Sequence, residues 1–270
     1  MQINCDLHIH TPLSKCCHDT RQSPPVAAAY LMSIGMKRIA FTDHVWLNPL
    51  NVPGARYDSS SGRSILALKE GIRNLQLPID VLAGCEADMC TPECFAIDME
   101  QREDFDLVLL ASNHFQLRDF VQQPDPVGGV RALTALMLDF FKAAASSGLG
   151  DVLVHPLMPL GYMEYAEAVH RSIEEAQLFD LLSIAAETGS AIEINGAILS
   201  KWYNAGFSEE LLLRLFETAR QAGCSLVFGS DAHTQDVFVE RYRMFSEIAD
   251  KLRLNTEDLS PWVNAPLVEC

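Results

Sequence analysis

No apolar run in this chain is both long enough and free enough of charge to span a bilayer. From Met1 it passes almost directly into Ile3-Asn4-Cys5-Asp6-Leu7-His8, without a charged segment leading into a long apolar stretch. These features disfavour a membrane partner or a secreted protein and lead us to expect a cytoplasmic one. Basic residues are scarce: 20 Lys and Arg against 36 Asp and Glu give a formal charge of −16, and no Lys/Arg cluster forms a binding face. Such a field repels a polyanion, so long nucleic acid is a poor partner, although the argument does not extend to short ends. No Gly/Ser-rich, Pro-rich or single-charge linker divides the 270 residues, 49% of them hydrophobic, with a mean hydropathy of +0.07. One domain spanning residues 1–270 is expected. The eight cysteines show no disulfide framework and read as reduced thiols; Cys90 and Cys94 are not at the C-x-x-C spacing of a redox or zinc knuckle.

Strand-like runs alternate with helical patterns along the whole chain. The runs are Ile3 to Ile9, Arg38 to Thr42, Ile79 to Cys85, Asp106 to Ser112, Asp151 to His155, Ala191 to Asn195 and Ser225 to Gly229. Between them, residues 25–34, 64–75, 130–146, 173–188 and 209–222 have helical spacing, and Gly35, Gly148, Gly189 and Gly223 follow as stop signals. Regular βα alternation predicts a parallel sheet. Neither G-x-G-x-x-G nor a P-loop follows the first run, which removes the usual signature of an open nucleotide-binding sheet.

Histidine and acidic residues gather at the ends of these runs: Asp6-Leu7-His8-Ile9-His10, Thr42-Asp43-His44, Gly84-Cys85-Glu86, Ser112-Asn113-His114, Val154-His155-Pro156 and Ser230-Asp231-Ala232-His233. In an open sheet, ligand groups collect at a switch point between a few strands, whereas a closed barrel turns every carboxyl end towards one mouth. Contributions from six or seven runs therefore predict a distorted TIM-like (β/α)7 barrel. Imidazoles and carboxylates in this number suit zinc, manganese or iron. His8 and His10, two apart on a strand, point to the same side and can grip one ion. Glu86 and Asp231 end apolar strands, where an uncompensated charge is costly without a cation.

In order and residue type, these motifs resemble the PHP (polymerase and histidinol phosphatase) metal-dependent phosphoesterases over nearly the whole chain. The resemblance implies a distorted (β/α)7 barrel that hydrolyses phosphoester bonds with two or three divalent ions. By its pattern His8 and His10 share one ion with Glu86 and Asp231, and Glu86 bridges to a second ion held by His114 and His155. A third takes His44, His233 and a ligand from the loop after His10. The family often places a histidine six residues after the second histidine of the first motif; here Cys16 stands there, followed by Cys17 and His18. Either Cys16 or His18 could close the site. We favour His18, because imidazole suits all three metals whereas thiolate biases the site to zinc; with neither, the centre is dinuclear.

Adjacent ions, about 3.5 to 4 Å apart, can neutralise an anionic ester, activate water and stabilise the leaving oxygen without a protein nucleophile. In this reading Glu86 holds the spacing, and Asp231 or His233 passes a proton to the leaving oxygen. Asp6 and Asp43, each close in sequence to a ligand histidine, are candidate acceptors that set the imidazole tautomers. The stretch Glu193-Ile194-Asn195 resembles that of histidinol phosphatases, where basic residues after the strand face the substrate, and Lys201 is a candidate phosphate contact. Arg118, just past His114, is another. An arginine-bearing pattern that histidinol phosphatases often carry after the fifth-strand histidine is missing from residues 155–161. Small phosphate monoesters, among them histidinol-phosphate-like, sugar or nucleotide phosphates, are thus the expected substrates. Phosphodiester or short-oligonucleotide hydrolysis is the alternative within the enzyme class, and a non-catalytic metal-binding regulatory module the alternative outside it. Homo-oligomerisation is left open. His170, in a helical segment among Glu164, Glu167, Arg171 and Glu174, reads as structural, and Trp46, Trp202 and Tyr203 could wall the pocket or only pack the rim.

Overall fold

The apolar runs become short strands in the computed structural model, which describes residues 1, 3–50, 62–74 and 78–264. They are β1 (Cys5–Ile9), β2 (Arg38–Phe41), β3 (His44–Val45), β4 (Asp80–Ala83), β5 (Cys85–Thr91), β6 (Cys94–Phe95), β7 (Val108–Ala111), β8 (Val152–Leu153), β9 (Ala191–Asn195) and β10 (Leu226–Gly229). The helices are α1 (Pro24–Ser33), α2 (Gly62–Arg73), α3 (Met99–Arg102), α4 (Gly129–Ser147), α5 (Ala166–Ser172), α6 (Glu175–Thr188), α7 (Gly196–Asn204), α8 (Glu209–Gln221), α9 (Phe238–Lys251) and α10 (Pro261–Asn264). Gly148 and Gly189, with φ of 67° and 79°, take the left-handed conformation that ends α4 and α6. The expected second helix runs to Leu75, which lies outside the described residues.

β2 falls within the expected run 38–42 and β3 lies just beyond it, while β4 falls within the expected run 79–85 and β5, after Gly84, carries the chain on to Thr91; each pair occupies one position in the ring. Parallel pairing runs β1–β2–β4 and β3–β5–β7–β8–β9–β10, with His44 opposite Glu86 and Glu86 opposite Leu109. The ring closes where β10 meets β1: Ile9 bridges Ala232, His10 N–H donates to Ala232 O (3.0 Å) and Asp231 N–H to His8 O (2.7 Å). Seven parallel strand positions with helices outside form the expected α/β barrel. Among the described residues only the β5–β6 hairpin is antiparallel.

Strand alternation divides the core in two. Cys5, Leu7, Ala40, Leu109, Val152, Ala191 and Val227 fill the barrel, while Phe41, Cys85, Leu110, Leu153, Ile192 and Phe228 pack outward into the helical layer. The register of β1 shifts between Asp6 and Ile9. Leu7 therefore packs inside the barrel and Ile9 in the outer core, a change of side that aims His8 and His10 at the mouth, a common use of a bulge beside a site. The described cysteines, Cys5, Cys16, Cys17, Cys85, Cys90, Cys94 and Cys224, are free thiols. No helix among the described residues is long and apolar enough to cross a membrane.

Candidate metal centre

Glu86 stands at the middle of the mouth, 1% exposed, with five imidazoles around it. Its Oε1 lies 2.8 Å from His155 Nε2 and 3.4 Å from His114 Nε2; its Oε2 lies 2.9 Å from His44 Nδ1, 3.4 Å from His10 Nε2 and 3.5 Å from His8 Nε2. Asp231 Oδ1 is 3.4 Å from His10 Nε2 and 3.9 Å from His8 Nε2. The His233 ring stacks on that of His10, centroids 4.2 Å apart. Residues from both ends of the chain thus converge on one small volume, as their placement at strand ends predicts.

The ring nitrogens facing away from the centre have partners that assign their tautomers. His8 Nδ1–H donates to Glu193 Oε1 (2.7 Å), His114 Nδ1–H to Asp88 Oδ1, and His155 Nδ1–H to Asn113 Oδ1 (2.6 Å). The Asn113 amide is oriented by its Nδ2, which donates to His155 O and Met158 O. His10 Nδ1–H donates to Ser14 Oγ (3.2 Å), whose own proton goes to Asp43 Oδ1 (2.7 Å). In these tautomers each Nε2 presents a lone pair inward.

That arrangement is a test for cations. His8 Nε2 and His10 Nε2 face each other at 3.2 Å, and His155 Nε2 faces a carboxylate oxygen at 2.8 Å, so lone pair meets lone pair unless a proton or metal lies between. Buried Glu86 Oε2 accepts no hydrogen bond among the described residues. Without metal, only protons relieve the repulsion. Burial opposes charge on His8, but Glu193, Asp231 and Glu86 hold its pKa well above the ordinary range; His44 is raised likewise against burial, chiefly by Glu86. Burial pushes His10 down and His233 down to about 3. Glu86 is held well below the carboxylate range, against burial, by His44, His8 and His114, and Asp231 by His8, His10 and His233. The donor set fits divalent cations. Among the described residues three groups have ligand atoms mutually within 4.8 Å: His8, His10 and Asp231; His44, Glu86 and His114; and His10, Cys16, His44 and His233.

The expected residues divide accordingly. His8, His10, His44, Glu86, His114, His155, Asp231 and His233 come together. His18 does not: it is exposed, and Cys16 occupies the place proposed for it, Sγ 3.1 Å from His233 Nε2. Asp6 touches no imidazole; it accepts from the N–H groups of His8 and Ser230 and from Tyr242 Oη, pinning the β1–β10 closure. Asp43 acts on His10 through Ser14. Three outer acceptors, Glu193, Asp88 and Asn113, were not assigned that role from sequence, although Asp88 is two residues beyond Glu86, and Glu193 shares the inward face of β9 with Ala191. Gly229 is needed beside them, since a Cβ there would collide with Glu193 Oε1 and His8 Cβ. Asp231 has a left-handed φ of 55°, and Arg241 Nη1 donates to both Ser230 O (2.7 Å) and Asp231 O (2.9 Å).

The candidate substrate contacts lie further out. Arg118 is exposed over the Tyr162 ring, 4.8 Å from its centroid, and Lys201 is exposed on α7; among the described residues neither is hydrogen bonded to the cluster. Trp202 is fully buried, its Nε1–H on Ser208 O and its ring against His170, so it packs the helical layer rather than the mouth. His170 is structural, as expected, with Nε2–H on Leu157 O.

Residues 6–123 match the model of the PHP domain. The crystal structure of histidinol phosphate phosphatase from Lactococcus lactis, complexed with zinc, L-histidinol and phosphate, superposes with a TM-score of 0.56 at 16% identity, covering 94% of this chain and 95% of that one. The Aspergillus niger (A. niger) ochratoxinase structure aligns more loosely, with a TM-score of 0.43 at 12% identity over 99% of this chain and 73% of its own. No curated protein matches the sequence. The matched segment carries β1 to β7 and the first four of the clustered histidines, and the chain as a whole has the fold of histidinol phosphate phosphatase.

Proposed function

We propose that this protein hydrolyses small phosphate monoesters with the aid of two or three divalent cations, zinc, manganese or iron, held at the barrel mouth. The observation that carries the reading is the set of inward Nε2 lone pairs around Glu86, each fixed by an outer partner. His8, His10, Glu86 and Asp231 would hold one cation, Glu86, His114 and His155 a second, and His44 and His233, with a ligand from the loop after His10, a third. Bound there, the cations would supply Lewis-acid charge that offsets the ester's negative charge and favours deprotonation of the attacking water.

The chain's own groups supply the rest. Asp231 and His233 are the most open members of the cluster, with side chains 17% and 33% exposed, and either could take the proton released by the attacking water and hand it to the leaving oxygen. The Arg118 guanidinium, braced on Tyr162, would receive a phosphate oxygen, and Lys201 would offer a second cation further out. The net charge of −16 favours a small ester over a polyanion. The whole barrel works as one unit, because β1 is closed by β10, outside the matched segment. Free thiols throughout the described chain suit the reducing cytoplasm.

The test is turnover of p-nitrophenyl phosphate, histidinol phosphate and a panel of sugar and nucleotide monoesters by the metal-loaded protein, beside bis(p-nitrophenyl) phosphate. Monoester turnover that chelation abolishes is expected. No turnover of any ester would leave a non-catalytic metal-binding module, and faster diester turnover would move the substrate class.

A further inference from the structure

Among the described residues Cys16 is the one sulfur donor in the cluster. Its Sγ lies 3.1 Å from His233 Nε2, and with donor atoms of His10 and His44 the four fall within 4.8 Å of one another. A tetrahedral zinc site with nitrogen and sulfur ligands needs such atoms about 3.5 Å apart. The loop that presents the thiol is anchored on both sides. Asp43 accepts from Thr11 N–H (2.8 Å), Thr11 Oγ1 (2.6 Å), Ser14 N–H (3.2 Å) and Ser14 Oγ (2.7 Å), and Cys17 N–H closes a turn onto Ser14 O (2.9 Å). The neighbouring thiol is otherwise engaged: buried Cys17 Sγ donates to His233 O (3.3 Å) and His10 O (3.7 Å). Of the adjacent pair, one sulfur faces the cluster and the other braces the backbone of two of its histidines. The other two ligand groups contain only nitrogen and oxygen donors.

We infer that Cys16, His44 and His233, beside the ring of His10, form a thiolate-containing site selective for a thiophilic divalent cation such as zinc, chemically distinct from the nitrogen and oxygen sites next to it. This deepens the proposed function and rests on it, because it assumes that the cluster binds cations. Soft thiolate favours zinc over manganese at this position, while imidazole and carboxylate leave the neighbouring sites open to harder ions. The centre is then expected to fill with unlike metals rather than with identical ones. Exposed His18 contributes nothing to it.

Titration of the metal-free full-length protein with cobalt(II) tests the inference. A near-ultraviolet sulfur-to-cobalt charge-transfer band should grow to one equivalent, remain in Cys17→Ser and His18→Ala, and vanish in Cys16→Ser while visible ligand-field bands from the other sites persist. Cys16→His should regain the lost equivalent without the band and take up manganese there. One equivalent of zinc should also protect Cys16 from alkylation in the wild type. Cobalt bound without the charge-transfer band, or with the band intact in Cys16→Ser, overturns the thiolate site alone. Failure of the folded protein to bind cobalt at all overturns the metal centre with it.

Discussion

Glu193→Gln is a nearly isosteric change that separates the support of the centre from its ligands. In the wild type Glu193 Oε1 accepts from His8 Nδ1–H (2.7 Å) while Oε2 accepts from His155 N–H (2.7 Å) and Asn195 Nδ2 (2.9 Å), all buried. Glutamine cannot satisfy both sides. If its carbonyl stays on His8, its amino group confronts two donors; if it flips, His8 must take the other tautomer and loses the inward lone pair. The first costs on the order of 2 to 3 kcal/mol of stability in the metal-free protein, as for a buried charge-assisted hydrogen bond. Either should weaken cation binding about 10- to 100-fold, the usual effect of removing an outer partner of a ligating histidine. Competition with a chelating dye, beside urea melts of the metal-free protein, measures both. The pH dependence has a defined sign: Glu193 raises the proton affinity of His8, so protons compete with metal in the wild type as pH falls, and the variant should show a shallower dependence. Cation affinity within about twofold of wild type would refute the claim that these outer contacts set the inward lone pairs.

Replacing Asp231 or His10 by alanine should abolish ester hydrolysis and reduce bound metal while circular dichroism stays native, and a normal rate with full metal content would show that the site is elsewhere. Arg241→Met should cost about 2 kcal/mol in a urea melt, because two carbonyls lose a charged donor and left-handed Asp231 loses its tether; an unchanged midpoint would refute the tether. Burial depresses the His170 pKa to about 4. Its neutral form is the native one, so stability is lost as pH falls from about 6.5 towards 4, by up to about 3 kcal/mol. His170→Phe should lack that slope in melts across this window, and equal slopes would refute the assignment.

Much of the barrel was readable because its strands are buried on both faces and so form apolar runs, and the histidines were conspicuous because each terminates such a run. What escaped depends on side-chain direction and on distant contacts. Asp88 lies on the same strand face as Glu86, and the alternation that placed His8 with His10 would have found it. Glu193 was noticed for its neighbourhood, but its role needs the curvature that carries β9 to β1. Asp6 was expected to orient an imidazole, yet between inward Cys5 and Leu7 it faces outward to Tyr242, and the register shift beyond it carries the His8 and His10 rings away from it. That Cys16 rather than His18 lies beside His233 goes with a loop held by Asp43, some thirty residues away, which no local pattern reveals.

Metal stoichiometry by inductively coupled plasma mass spectrometry, on protein purified without chelator and supplied with zinc, manganese and iron, tests the central claim most directly. The account predicts about two to three tightly held divalent ions per folded chain, falling below about one in Glu86→Ala, whose carboxylate the centre surrounds. Less than about one ion per folded wild-type chain would contradict it.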